Sequence, residues 1–185
     1  ARMGRRVDAD DTFVYFYSGH GARVPRSAPE RSDPDALDET IELYDGTIRD
    51  NEMSDLLSLV EADLSLVVLD ACFSGGFSKD IISVPGRMGF FSSEEDVTSQ
   101  VAAKFRAGGY LAQFVFDGVG ERHADADGDG AISAIELSQY IHERYRFDVK
   151  SAAPDDYVRT GGPQIGFQHF VADRGSIAPD RVIFR

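Results

Sequence analysis

The sequence predicts an α/β fold built on a mostly parallel central sheet, on three observations. Leu66-Val67-Val68-Leu69 is an unbroken apolar run rich in β-branched residues, the pattern of a strand covered on both faces. Thr12-Phe13-Val14-Tyr15-Phe16-Tyr17 reads as a second buried strand. Between them Met53, Leu56, Leu57 and Val60 recur at helical spacing. Strand, helix and strand in that order favour a parallel pair joined by a right-handed crossover.

A length of 185 residues fits a single domain with a real core, taken here as residues 1–185. A net charge of −13 argues against nucleic acid and anionic membranes as partners. No apolar run is long enough for a transmembrane helix. The one cysteine forms no internal disulfide, so a reducing, cytoplasmic setting is expected. No targeting segment is recognisable, and a chain that starts without Met is expected to be a fragment or a processed product.

The basic residues 1–6 precede the first strand, and the second glycine of Ser18-Gly19-His20-Gly21 follows it closely. Ala22 to Asp38, with Pro25, Pro29 and Pro34, reads as a loop in which Arg23, Arg26 and Arg31 are candidate processing sites. Glu39 to Gly46 alternates polar and apolar residues and ends in Asp-Gly, a short strand or hairpin arm. Asp50 is the expected N-cap of a helix that runs to about Ala62. Phe77 to Arg87 reads as a connection, with Lys79 and Arg87 as further candidate processing sites. Met88-Gly89-Phe90-Phe91 is a third strand. Gly108-Gly109 opens a helix carrying Tyr110, Leu111, Phe114, Val115 and Val119 on one side. Asp148 to Thr160 is loop-like, Ile165 to Phe170 a late strand, and Val182-Ile183-Phe184 a short ending that pairs at an edge.

Residues 125–136 match the EF-hand loop. Asp125, Asp127 and Asp129 stand at positions 1, 3 and 5, and Gly130 at the sharp turn. Ala131 offers its carbonyl at position 7, Ser133 stands at position 9, and Glu136 at position 12 can bind bidentately. Three carboxylates this close repel unless a cation joins them, so bound Ca2+ is expected. With one such loop and no partner loop, a structural clip fits better than a regulatory sensor. No organic cofactor is expected.

The chemistry gathers at two strand ends. Cys72 is the sole thiol and hence the sole candidate thiolate nucleophile. Imidazole titrates near neutrality and can return a proton to a leaving amine, which makes His20 the natural partner. The other histidines fit less well: His123 adjoins the acidic loop, His142 its exit helix, and His169 a late strand. Asp70 lies two residues before Cys72, on the same side by strand alternation, where a carboxylate suits a cationic substrate side chain.

Ser18-Gly19-His20-Gly21 and Asp70-Ala71-Cys72-Phe73-Ser74-Gly75, each closing an apolar strand, resemble the metacaspase and orthocaspase branch of the caspase-like cysteine peptidases. The resemblance implies a three-layer sandwich, with helices on both faces of the sheet, and a His20/Cys72 dyad. It implies an oxyanion hole from the backbone N–H groups of Gly21 and Cys72, with cleavage after Arg or Lys in protein or peptide substrates. It assigns Asp70 to the S1 pocket with Glu95, or Asp96 one residue on, as second acid, and Ser93 in the lining. Family members carry a strand and helix before the His strand, so this chain's own N-terminal segment, as a separate chain, is a possible partner; otherwise a monomer is expected. Two rival readings are a catalytically silent calcium-binding interaction module on the same fold, and another cysteine hydrolase or transferase using the same dyad.

Overall fold

A computed structural model describes residues 7–26, 36–99, 108–149, 158–159, 165–166 and 168–185. The expectations on residues 1–6, on Pro29, Arg31 and Pro34, and on residues 150–157 of the later loop lie outside these. At the centre is β5 (Leu64–Asp70), buried at every position. It pairs in parallel with β1 (Thr12–Ser18) on one side and with β6 (Arg87–Phe91) on the other. The antiparallel β10 (Val171–Asp173) continues the sheet beside β6.

Alternation along β5 divides the core in two. Leu64, Leu66 and Val68 join Met88 and Phe90 beneath α3 (Tyr110–Val115) and α4 (Ala134–Arg144). Val67 and Leu69 join Phe91 beneath α1 (Asp50–Leu57) and α2 (Phe77–Ile81). Helices therefore cover both faces of a mostly parallel sheet, the three-layer α/β arrangement expected. Each fully buried Leu or Val contributes about 1.5–3 kcal/mol, so the burial of β5 is a large stabilising contribution.

A second sheet of β2 (Gly21–Pro25), β3 (Leu37–Leu43) and β4 (Gly46–Arg49) is antiparallel throughout. Much of the expected loop after Ala22 is thus strand at its described ends, because ladder pairing with β3 overrides the proline-rich composition. The β3–β4 turn falls at Tyr44-Asp45, as Asp-Gly suggested. Asp50 is the first residue of α1 rather than its cap; Arg49 is the N-cap, and its N–H donates to Glu52 Oε2 at 3.1 Å. The helix stops at Leu57, short of Ala62.

Four further expectations change. The strand β1 is not covered on both faces: Phe13, Tyr15 and Tyr17 pack on the core while Val14 and Phe16 are 42% and 49% exposed. Its other neighbour among the described residues is absent, and an apolar run alone does not reveal an edge position. The Phe77–Arg87 connection contains α2, anchored by Phe77 and Ile81, one helical turn apart and both fully buried. Arg87 is buried in β6, donating to the Ile81 carbonyl and the Ser58 hydroxyl, which takes it out of reach of a protease in the folded chain. The late strand is broken: β9 (Ile165–Gly166) pairs with β8 (Val158–Arg159) in a separate ribbon, and the sheet strand is β10. No helix among the described residues is long and apolar enough to cross a membrane.

Phe90 is fully buried and packs against Phe170 at 5.5 Å between ring centroids. Phe90→Ala is expected to cost about 3–5 kcal/mol in urea unfolding, and Phe16→Ala on the outer face of β1 about 1 kcal/mol or less. Equal costs would contradict the exposed face of β1.

Candidate active site

The two parallel strands β1 and β5 end side by side, with Ser18 opposite Asp70 in register. Their carboxyl ends deliver His20 and Cys72 to one cavity of about 460 Å³, lined among the described residues by Ser18, Gly19, His20, Asp70, Cys72, Ser99, Gly108 and Gly109. Ligands in open α/β sheets bind in this position, beyond the carboxyl ends of the strands.

The backbone at His20 is pinned. Its carbonyl accepts from Glu42 N–H at 3.0 Å, and the Tyr17 hydroxyl lies 2.9 Å from the same carbonyl and 2.7 Å from that of Glu42. Gly19 N–H donates to the Asp70 carbonyl at 3.1 Å, stitching the two strand ends together. Gly21 passes so close to Cys72 that any Cβ would strike the Cys72 carbonyl oxygen.

Cys72 sits in a sharp turn. Phe73 beyond it has φ +59°, a left-handed conformation that costs an ordinary residue roughly 1–2 kcal/mol. Phe73 N–H donates to the Val97 carbonyl at 2.9 Å, and the Arg23 guanidinium lies over the Phe73 ring at 4.7 Å. The preceding Ala71 is fixed by serines from the end of β6: Ser92 Oγ lies 3.0 Å from its N–H and Ser93 Oγ donates to its carbonyl at 3.1 Å. The sulfur meets Ser99, whose N–H donates to Sγ at 3.3 Å and whose carbonyl lies 3.6 Å from it. Ser99 Oγ in turn accepts from buried Gln168 Nε2 at 2.8 Å.

Asp70 is buried at the floor of the cavity. Its Oδ2 accepts from Ala112 N–H in the first turn of α3 at 2.9 Å and lies 3.4 Å from Ser18 Oγ, while Oδ1 is buried without a hydrogen-bond partner. Burial pushes its carboxyl above the usual range, partly offset by hydrogen bonding from Ala112, Ser18 and Ser92. Gly109, the N-cap of α3, has no side chain to offer the helix, and a Cβ there would overlap the Asp70 carboxylate. The acid from β5 thus caps α3 from across the cavity.

The other expected pocket residues lie elsewhere. Ser93 is fully buried and committed to Ala71. Glu95 is ion-paired with Lys79 at 2.8 Å, and Asp96 is exposed. None of the three lines the cavity among the described residues. Ser99 and Gln168 are site residues that the sequence analysis does not identify. Contacts formed across 27 and 69 residues leave no local signal.

The family model described as the metacaspase, peptidase C14 domain matches residues 2–80, a span that holds both His20 and Cys72. Over 73 residues the chain is 34% identical to Metacaspase-8 of Arabidopsis thaliana. These matches make residues 2–80 similar to the metacaspase peptidase domain. The plant alignment covers 38% of this chain and only 19% of that protein's length. A solved structure of a protein from Geobacter sulfurreducens is similar in fold, with a TM-score of 0.56 over 98% of this chain and 75% of that one, at 17% identity.

Next to the metacaspase-like turn lies a buried acid with no part in the cavity. Glu39 of β3 is fully buried, 3.7 Å from Lys79 Nζ. Burial pushes its carboxyl up to about 8, with Lys79 opposing and Glu95 and Asp50 adding to the rise. The folded chain then keeps a proton there that the unfolded chain releases near 4.5, so stability falls as pH rises from about 4.5 to 8. Glu39→Gln is expected to melt progressively higher than the parent chain as pH is raised from 5 to 9; a gap that stays constant with pH would refute this.

Proposed function

We propose that the chain is a cysteine endopeptidase that cleaves proteins or peptides after Arg, and secondarily Lys. The observation that carries this reading is the convergence of His20, Cys72 and Asp70 on one cavity at the ends of adjacent parallel strands. The similarity of residues 2–80 to the metacaspase peptidase domain supports it.

In this mechanism Cys72 Sγ attacks the scissile carbonyl while His20 takes the thiol proton, and His20 then protonates the leaving amine. The resulting thioester is hydrolysed by water, with His20 as base, to release the acid and restore the thiol. The close approach of Gly21 to Cys72 suits backbone N–H groups of these two residues to the oxyanion. Asp70 receives the substrate guanidinium: its unpartnered Oδ1 is the acceptor left over after Ala112 and Ser18 have taken Oδ2. A guanidinium arriving there compensates a buried carboxylate that otherwise resists ionisation. A second acid at Glu95 requires its release from Lys79.

The test is hydrolysis of fluorogenic peptides ending in Arg, Lys or Asp. Cleavage after Arg is expected, abolished in Cys72→Ala and lowered roughly 100- to 10,000-fold in His20→Ala. Unchanged turnover in His20→Ala would sink the dyad. Asp70→Asn retains the oxygen that caps α3, so its melting point should stay close to that of the parent while kcat/KM for Arg peptides falls. Asp70→Ala should in addition lose about 0.5–2 kcal/mol of stability with the cap. Full Arg cleavage by a folded Asp70→Asn would remove the acid from substrate binding.

A further inference from the structure

The acidic loop 125–136 follows α3 and the helical segment 116–120 in the chain, and its carboxylates are arranged unevenly. Asp125 has nine-tenths of its side chain buried. Its Oδ2 accepts from Gly130 N–H at 3.1 Å and lies 3.4 Å from Arg122 Nη2, but Oδ1 is buried with no hydrogen-bond partner. Arg122 and Gly130 offset the burial of Oδ2, but Oδ1 carries a desolvation cost with no donor of its own. Asp125, Asp127 and Glu136 each bring a carboxylate oxygen to within 4.8 Å of the others, so the orphaned group belongs to a cluster of negative charge.

Loop N–H groups hold one oxygen of each further aspartate: Asp129 N–H donates to Asp127 Oδ1 at 3.1 Å and Ala131 N–H to Asp129 Oδ1 at 2.7 Å. The second oxygen of each is left for another partner. Glu136 is oriented by Ser133, whose N–H and hydroxyl both donate to Oε2, and by Ala126 N–H on Oε1.

We propose that this loop is a calcium site, with Asp125, Asp127, Asp129, the Ala131 carbonyl and Glu136 as ligands and Ser133 at the remaining position. Calcium accepts six to eight oxygens in a flexible shell including a bidentate carboxylate, whereas magnesium demands a compact octahedron. A loop with spaced single oxygens and one two-oxygen glutamate suits the larger ion. The site clips three segments together. Ile132 and Ser133 form β7, whose antiparallel partner is β11 (Val182–Phe184), the end of the chain. Ala134 and Ile135 N–H donate to the Arg181 and Pro179 carbonyls, both at 2.8 Å. The loop also joins α4 to the helical segment that begins at α3 and widens over Phe116–Gly120. A bound ion therefore fixes the C-terminal strand and the helix pair over the core, whether or not the cavity cleaves peptides.

The test uses the full chain, freed of metal by chelator, titrated with calcium chloride and separately with magnesium chloride. Calorimetry should find about one calcium site with Kd below roughly 1 mM, and calcium at about 100 times Kd should raise the melting temperature by about 5 °C or more. Amide exchange should slow in β7 and β11. Glu136→Gln and Asp127→Asn, folded by circular dichroism without calcium, should each bind at least about tenfold more weakly. No heat and no melting shift at about 10 mM calcium in a folded chain would overturn the site. So would binding that both variants leave unchanged, or magnesium bound as tightly as calcium.

Discussion

The buried carboxylate of Asp70 is the point on which the cavity depends. It closes the central strand, caps α3 through Ala112 N–H, reaches Ser18 at the end of β1, and still keeps one oxygen in hand. Strand, helix and cavity floor meet in a single side chain. An ordinary N-cap serine or aspartate at position 109 would have been cheaper for the helix, but its Cβ would collide with this carboxylate. The fold accepts a glycine at the cap and a hard-to-ionise acid in the interior, and together they hold a carboxylate at the floor of the cavity.

The surroundings of Cys72 follow the same economy. The tight turn that presents Cys72 places its next residue in the left-handed region, and here that residue is phenylalanine rather than glycine. The hydrogen bond from Phe73 to Val97, the guanidinium of Arg23 over its ring and the serine pair at Ala71 over-determine the turn. Ser99 and Gln168 then tie the sulfur to the segment beyond β6, so the cavity wall is built from four stretches of chain far apart in sequence.

Charge is managed differently on the two sides of the sheet. Beneath α1 and α2 the acids Glu39 and Glu95 share Lys79, and burial keeps Glu39 protonated up to about pH 8. Beyond α3 the acids of the 125–136 loop have loop N–H groups but one buried oxygen without a donor. The first arrangement neutralises charge internally; in the second, Arg122 is the nearby cation and Asp125 Oδ1 has no donor.

The sequence by itself determined the strands β5 and β6, the helix pair, and the closeness of His20 and Cys72 to strand ends, because apolar period and glycine breaks are local properties. It also exposed the EF-type loop, whose spacing lies within twelve consecutive residues. Tertiary structure alone decided that β1 turns one apolar face outward and that β10 joins the sheet. It placed Asp70 under α3, gave Glu95 to Lys79 and brought Ser99 to the sulfur. The reason is physical: a carboxylate's partner is chosen by what the packed layers bring within about 3 Å of it. For Asp70 that is an amide 42 residues away, which no window of sequence contains.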